Sequence, residues 1–162
     1  MKLELIDILR EYFKSTIQSE AEVSSKFIIP LLEYLGYPSE LRAQEFPVYG
    51  FEGRKMINSK SADFIMFSEP CFASYRKATE ENHQWVYDHS LLVIEAKKPG
   101  QMPEIAGQPE YYSLWTRSLA YIITDGVCIR GYYSQTNTSD SVVINCKVEE
   151  LNEHCSELQV FS

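Results

Sequence analysis

The stretch Leu91-Leu92-Val93-Ile94-Glu95-Ala96-Lys97-Lys98-Pro99-Gly100 decides how this chain is read. Apolar residues run straight into an acid, a small residue and a base, and a Pro-Gly breaker ends the run. A short continuous apolar run before such a stop predicts a buried strand. Side chains alternate across a strand, so Leu91, Val93, Glu95 and Lys97 share one face while Leu92, Ile94 and Ala96 share the other. A carboxylate and an ammonium therefore emerge together at the C-terminal end of a core strand, the edge where open α/β sheets place ligand sites. Taken alone, the E-x-K spacing is weak and fits a strand-end ion pair better than a catalytic pair.

The segments around this strand give it a sheet. Pro103 to about Thr116 reads as a helix in which Pro109 bends the chain or delays the start. Leu119–Thr124 is a second buried strand, and Asp125-Gly126 makes a hairpin turn into Val127–Tyr133. Strand, helix, strand across residues 91–124 implies a parallel crossover, with the sheet continuing antiparallel beyond the turn. Val142–Cys146 reads as a further strand and Val148–Leu158 as a closing helix.

Upstream, Leu3, Ile6, Leu9, Tyr12, Phe13 and Ile17 recur at helical spacing. Ser19-Glu20-Ala21-Glu22 fits a capping box and opens a second helix whose broad apolar face runs from Val23 to Leu35. Pro30 interrupts that face, and Gly36 is placed to end it. Strand candidates follow at Gln44–Tyr49 and Ala62–Phe67. The mixed stretch from Ser68 to His89 supports an elaborated hairpin or a loop, and its pattern does not choose between them.

Length and composition set the frame. At 162 residues with 44% hydrophobic content, a single domain spanning 1–162 with a full core is expected. No apolar run approaches bilayer length and no signal-peptide pattern opens the chain, so a cytoplasmic protein is expected. Cys71, Cys128, Cys146 and Cys155 are scattered without a C-x-x-C pair, which predicts buried reduced thiols. The absence of H-x-x-x-H, G-x-S-x-G, Walker and dinucleotide patterns argues against zinc, triad and nucleotide chemistry.

A formal net charge of −8 opposes a free-standing DNA binder, because phosphate contacts come from Lys and Arg. The charge is uneven: residues 134–162 are acidic, while Arg42, Arg54, Lys55, Lys60, Arg76, Lys77, Lys97, Lys98, Arg117 and Arg130 lie in the central part. Weak intrinsic DNA affinity is expected, with partner subunits or domains supplying the rest.

The chemistry gathers around two carboxylates. Ser61-Ala62-Asp63-Phe64-Ile65-Met66-Phe67 begins an apolar strand with an acid. A strand that starts with Asp beside one that ends in Glu-x-Lys brings two acids together. Adjacent carboxylates repel, so both stay ionised only with a cation between them. A hard divalent ion with oxygen ligands, Mg²⁺ or else Mn²⁺, fits that need. Such an ion polarises a phosphoryl oxygen and acidifies a bound water that a neighbouring lysine can orient. Asp63 without Glu95 would read as a strand-initiating polar residue.

Asp63 followed by Glu95-Ala96-Lys97 resembles the PD-(D/E)xK nuclease signature, with Ala62 where the motif carries proline. The wider pattern is similar to the N-terminal nuclease domain of type I restriction enzyme R subunits. It comprises Ser19-Glu20-Ala21-Glu22-Val23 leading to Pro30–Tyr37, then Ala62-Asp63-Phe64, Val93–Pro99, Gln108 through Tyr112 and Ile123-Thr124-Asp125-Gly126. The resemblance implies a restriction-endonuclease-like three-layer α/β fold, a mixed central sheet flanked by helices, and hydrolysis of DNA phosphodiester bonds. It implies that Asp63 and Glu95 bind the metal with Glu20 supplementing them, that Lys97 positions the attacking water, and that Gln108 and Tyr112 form the Q-x-x-x-Y motif beside the site. No helicase motif accompanies the pattern, so a stand-alone relative, or one module whose motor is encoded elsewhere, is expected. The alternative reading is a catalytically weak nuclease-fold module that binds DNA or protein within a restriction or defence complex.

Overall fold

The computed structural model describes residues 4–52, 55–72, 80–104, 107–134 and 140–162. Its centre is a six-stranded mixed sheet whose strands lie side by side in chain order. These are β1 (Arg42–Glu52), β2 (Lys55–Phe67), β3 (Ser90–Ala96), β4 (Ala120–Thr124), β5 (Cys128–Tyr133) and β6 (Ser141–Lys147). All neighbours are antiparallel except β3 and β4, which run parallel across the crossover helix α5 (Gly107–Thr116). The remaining helices are α1 (Leu5–Lys14), α2 (Glu20–Val23), α3 (Ile29–Tyr34), α4 (Glu80–His89) and α6 (Cys155–Leu158).

Alternation from Leu92 to Ala96 sorts the core into two layers, whereas Leu91, expected on the Val93 face, packs with the Leu92 layer. Leu92, Ile94 and Ala96 pack with Phe64, Met66 and Ile122 against α1, α2, α3 and the C-terminal segment. Val93 packs with Ile65, Phe67 and Ile123 against Val86 of α4 and Tyr112 of α5. Both faces of the sheet are thus covered, which is why β3 and β4 read as continuous apolar runs rather than alternating ones.

The helix expected from Ser19 onward forms, with an unexpected centre. Ser19 accepts from the Glu22 N–H at 3.2 Å while Glu22 Oε2 accepts from the Ser19 N–H at 3.2 Å, completing the capping box. Between α2 and α3 lies a π-helical turn, Ser24–Ile28, with the Ile29 N–H reaching Ser24 O. Pro30 has no N–H to give to an i−4 carbonyl, and the widened turn just before it absorbs the mismatch. Gly36, at φ +91, then lets Tyr37 N–H return to Leu32 O at 2.8 Å.

Several boundaries move relative to the sequence reading. The first helix is shorter, at Leu5–Lys14. The strands expected at Gln44–Tyr49 and Ala62–Phe67 are parts of a longer β1/β2 hairpin, the second of them the C-terminal end of β2. The undecided stretch 68–89 contains α4, with 73–79 outside the described residues. The helix expected from Pro103 starts at Gly107, with 105–106 outside the described residues, and places Pro109 in its first turn, where an N–H is not needed.

The closing helix is a correction. Residues Val148–His154 wind as a 3₁₀ helix before the short α6, and Gln159–Phe161 as another. Val148 and Leu151 are buried, and so are Leu158 and Phe161. Each pair recurs at i, i+3, the spacing that eclipses on a 3₁₀ helix. The four cysteines stand as free thiols and are half-buried rather than buried. Among the described residues no helix is long and apolar enough to cross a membrane.

The β4–β5 hairpin locks the site end of the sheet. Asp125 Oδ1 accepts from the N–H groups of Val127 at 2.9 Å and Cys128 at 2.8 Å, and Gly126 sits at φ +77. A Cβ on Gly126 would meet the Tyr12 hydroxyl and lie 3.1 Å from Val23 Cγ2. Gly126→Ala is expected to cost on the order of 3 kcal/mol, from the left-handed backbone and the overpacking together. Urea unfolding measures that loss.

Candidate active site

The site lies where β2 and β3 part. Their register pairs Phe64 with Ile94 and Ile65 with Val93, so one further step sets Asp63 beside Glu95. The ladder bond at that step is made by a side chain: Ala96 N–H donates to Asp63 Oδ2 at 2.7 Å. Asp63 is therefore held by the backbone between the acid and the base of the Glu95-x-Lys97 pair.

Glu95 is buried at 4% exposure. Its Oε1 accepts from Lys97 Nζ at 2.7 Å, whereas its Oε2 is buried without a hydrogen-bond partner. A buried unpartnered carboxylate oxygen carries a large desolvation cost. Burial, together with the charges of Asp63 and Glu20, pushes the Glu95 carboxyl up to about 7 against the opposing pull of Lys97. Asp63 is also raised, by burial first, with Glu20 and Glu45 adding to it and the Ala96 N–H and Lys97 opposing. Both acids are held in a field that favours added positive charge.

Lys97 bridges the strand to the crossover helix. Its Nζ donates to Gln108 Oε1 at 2.9 Å, and Gln108 Nε2 donates to the Tyr112 hydroxyl at 3.3 Å. Lysine has no acceptor, so it fixes the Gln108 amide with oxygen inward and nitrogen toward Tyr112. The i, i+4 spacing puts both residues on the α5 face turned to β3. The chain Glu95–Lys97–Gln108–Tyr112 is thus continuous, with Tyr112 fully packed beneath it.

Glu20 approaches from the other layer. Glu22 is engaged by the Gln18 N–H at 2.9 Å and by Lys26 at 3.2 Å as well as by Ser19, which leaves Glu20 as the acid facing the sheet. Glu20, Ser24, Gln44, Glu45 and Asp63 line an open cleft of about 290 Å³. Glu45 is the residue the sequence reading missed. Pairing of Gln44 with Phe64 and Phe46 with Ala62 sets it across from Asp63, and its backbone sits at φ 47. A non-glycine residue in the left-handed region of a strand is uncommon and costs stability. The available signal was the broken alternation of Ala43, Phe46 and Val48 around it, all three of which are buried.

The structure thus joins Glu95, Lys97, Gln108 and Tyr112 in one bonded chain, with Asp63 tied to the Ala96 N–H beside it and Glu20 and Glu45 across the cleft that Asp63 lines. Among the described residues no group of three or more His, Cys, Asp or Glu side chains forms a ready-made metal cage. The donors that fit a hard cation are the free oxygen of Glu95 and the carboxylate of Asp63. Compared with family models, curated proteins and solved structures, the chain matches none.

Gln108→Ala removes one of the two acceptors of Lys97 without touching an acid. It is expected to lower any cleavage by about a hundredfold while leaving metal-induced stabilisation nearly unchanged. Tyr112→Phe keeps the buried ring and removes only the hydroxyl, so a fall in activity at constant melting temperature would report that hydrogen bond. Equal activity of Gln108→Ala and wild type would reduce α5 to scaffold.

Proposed function

We propose that the chain is a cytoplasmic divalent-metal-dependent nuclease that hydrolyses DNA phosphodiester bonds, on a restriction-endonuclease-like fold related to that of type I restriction enzyme R subunits. The observation that carries this reading is the buried, unpartnered Oε2 of Glu95 beside Asp63, with Lys97 anchored at its partner oxygen. The order of elements from α2 through β1, β2, β3, α5 and β4 supports it, because it carries the resembling motifs to one end of the sheet.

Asp63 and Glu95 are the residues that would hold Mg²⁺ or Mn²⁺, with Glu20 facing them. When bound, the ion supplies charge to a phosphoryl oxygen and a water of lowered pKa. The protein's own part is positional. Lys97, clamped between Glu95 and Gln108, presents its ammonium to the same space and can orient a nucleophilic water. Gln108 and Tyr112 keep the lysine from swinging out along the strand. The acids repel substrate phosphate until neutralised, which fits weak intrinsic DNA affinity and help from partner subunits or domains.

The net charge of −8 favours a second reading, a nuclease-fold module that binds without cutting. Calorimetric titration with Mg²⁺ and Mn²⁺, followed by nicking assays on supercoiled plasmid and on RNA, separates the two. Metal binding with DNA nicking supports the enzyme. Absence of both at millimolar metal overturns it, and metal binding without nicking selects the module.

A further inference from the structure

A second feature lies at the far end of α5. Tyr87 of α4, Leu114 and Trp115 of α5, and Arg117 just beyond it line an open cleft of about 240 Å³. The Arg117 guanidinium stands 4.5 Å from the centre of the Tyr87 ring. The ring itself is fixed, since the Tyr87 hydroxyl lies 3.0 Å from His83 Nδ1. Leu114 beside it is 65% exposed.

Arg117 is an unusual choice on two counts. The chain has 23 acids to 15 basic residues, yet among the described residues no carboxylate pairs with this arginine. Its backbone also sits at φ 56, directly after the last residue of α5. Ser118 N–H returns to Ser113 O at 3.1 Å, the closure of a Schellman cap, in which this left-handed position normally belongs to glycine. Thr116 Oγ1 to Tyr112 O at 2.8 Å and Ser113 Oγ to Ser118 O at 3.1 Å pin the same turn. A long cation stands where the backbone asks for glycine, which points to a use for the side chain.

We propose that the cleft between α4 and α5 binds one DNA strand, with Arg117 taking a backbone phosphate and the Tyr87, Leu114 and Trp115 surface taking the adjoining sugar or base. Charge decides the occupant: an unpaired, pre-stacked guanidinium recognises an anion with a planar or apolar neighbour, and a nucleotide has both. Stacking on Tyr87 leaves the guanidinium edges free to donate. The cleft lies roughly 10 Å along α5 from Gln108, at about 1.5 Å per residue. A strand held at Arg117 could therefore run toward the acids. The proposal rests on the nuclease reading for its choice of nucleic acid.

The test is fluorescence anisotropy of a labelled single-stranded oligodeoxynucleotide with the full chain in EDTA, across a salt series. Arg117→Gly is expected to weaken binding about tenfold and to lower the slope of log affinity against log salt by about 1. The same variant should melt roughly 2 °C higher, because glycine suits the turn. Arg117→Lys should keep the slope while losing part of the affinity with the Tyr87 stack. Undiminished binding and slope in Arg117→Gly would overturn the proposal, as would a wild-type chain that does not bind the oligonucleotide. Arg117-dependent binding by a chain that neither takes up metal nor cuts DNA would support the cleft while defeating the nuclease reading.

Discussion

Lys97→Ala is expected to lower metal-dependent DNA cleavage by about a thousandfold while the protein stays folded. Lys97 is the cation held between the Glu95 carboxylate and the Gln108 amide, and its side chain is 22% exposed. Removing it strips one charge-assisted hydrogen bond from Glu95, but a small aliphatic residue at a strand end leaves the core untouched. General acid–base and water-orienting groups contribute about 10²–10⁴ in rate, which sets the size of the expected loss. Metal binding should respond differently. The ammonium competes with a divalent ion for the field of the two acids, so its loss favours metal. It also helps to ionise Glu95, so its loss favours the proton. At pH 8 these effects oppose, and metal affinity should stay within about tenfold of wild type. Single-turnover nicking with a parallel calorimetric titration reads both quantities. Cleavage by a folded Lys97→Ala protein at near wild-type rate would refute the role given to this residue.

How far the sequence carried the structure depends on whether a signal was local. The β3 stretch announced itself because a strand covered on both faces needs an unbroken apolar run, and its alternation divided Val93 from Ile94 and Ala96, although Leu91, expected on the Val93 face, packs on the Ile94 side. The capping box at Ser19 and the Asp125-Gly126 hairpin were legible for the same reason: each is closed by atoms within a few residues. Pro30 was visible as a conflict, but its resolution by a π-helical turn depends on how the flanking Phe27, Ile28 and Leu31 pack. Glu45 was marked only by the broken alternation around it, since its place opposite Asp63 is a matter of hairpin register. Likewise α4 carries little amphipathic signal, because Trp85 and Val86 are held by the sheet while polar residues make up most of the helix. The bonded path from Lys97 through Gln108 to Tyr112 joins a strand to a helix, and only tertiary packing specifies it.

Glu95→Gln is expected to stabilise the metal-free protein and to abolish its stabilisation by metal. The folded-state pKa of Glu95 lies at about 7, above the ordinary glutamate value of 4.5, with burial as the main cause. Between those two values the folded chain keeps a proton that the unfolded chain has released. Stability therefore falls as pH rises from 4.5 toward 7, and above 7 the ionised group costs on the order of 3 kcal/mol. A neutral glutamine escapes that cost, so at pH 8 the variant should melt several degrees higher than wild type and its melting temperature should lose that part of the pH dependence. A divalent ion works in the opposite direction, since it binds the ionised carboxylates. Its stabilisation of wild type should be small at pH 6 and larger at pH 8, reaching about 2.7 kcal/mol at a hundredfold excess over Kd. Asp63→Ala should also erase the metal effect, but through loss of a donor and of the 2.7 Å bond to Ala96 N it should lower rather than raise metal-free stability. The opposite signs of these two variants without metal, and their shared indifference to it, distinguish a cation site from a plain strand-end ion pair. In the ion-pair case Glu95→Gln destabilises at pH 8, because Lys97 loses its partner and nothing is relieved, and that result would remove Glu95 from the metal site.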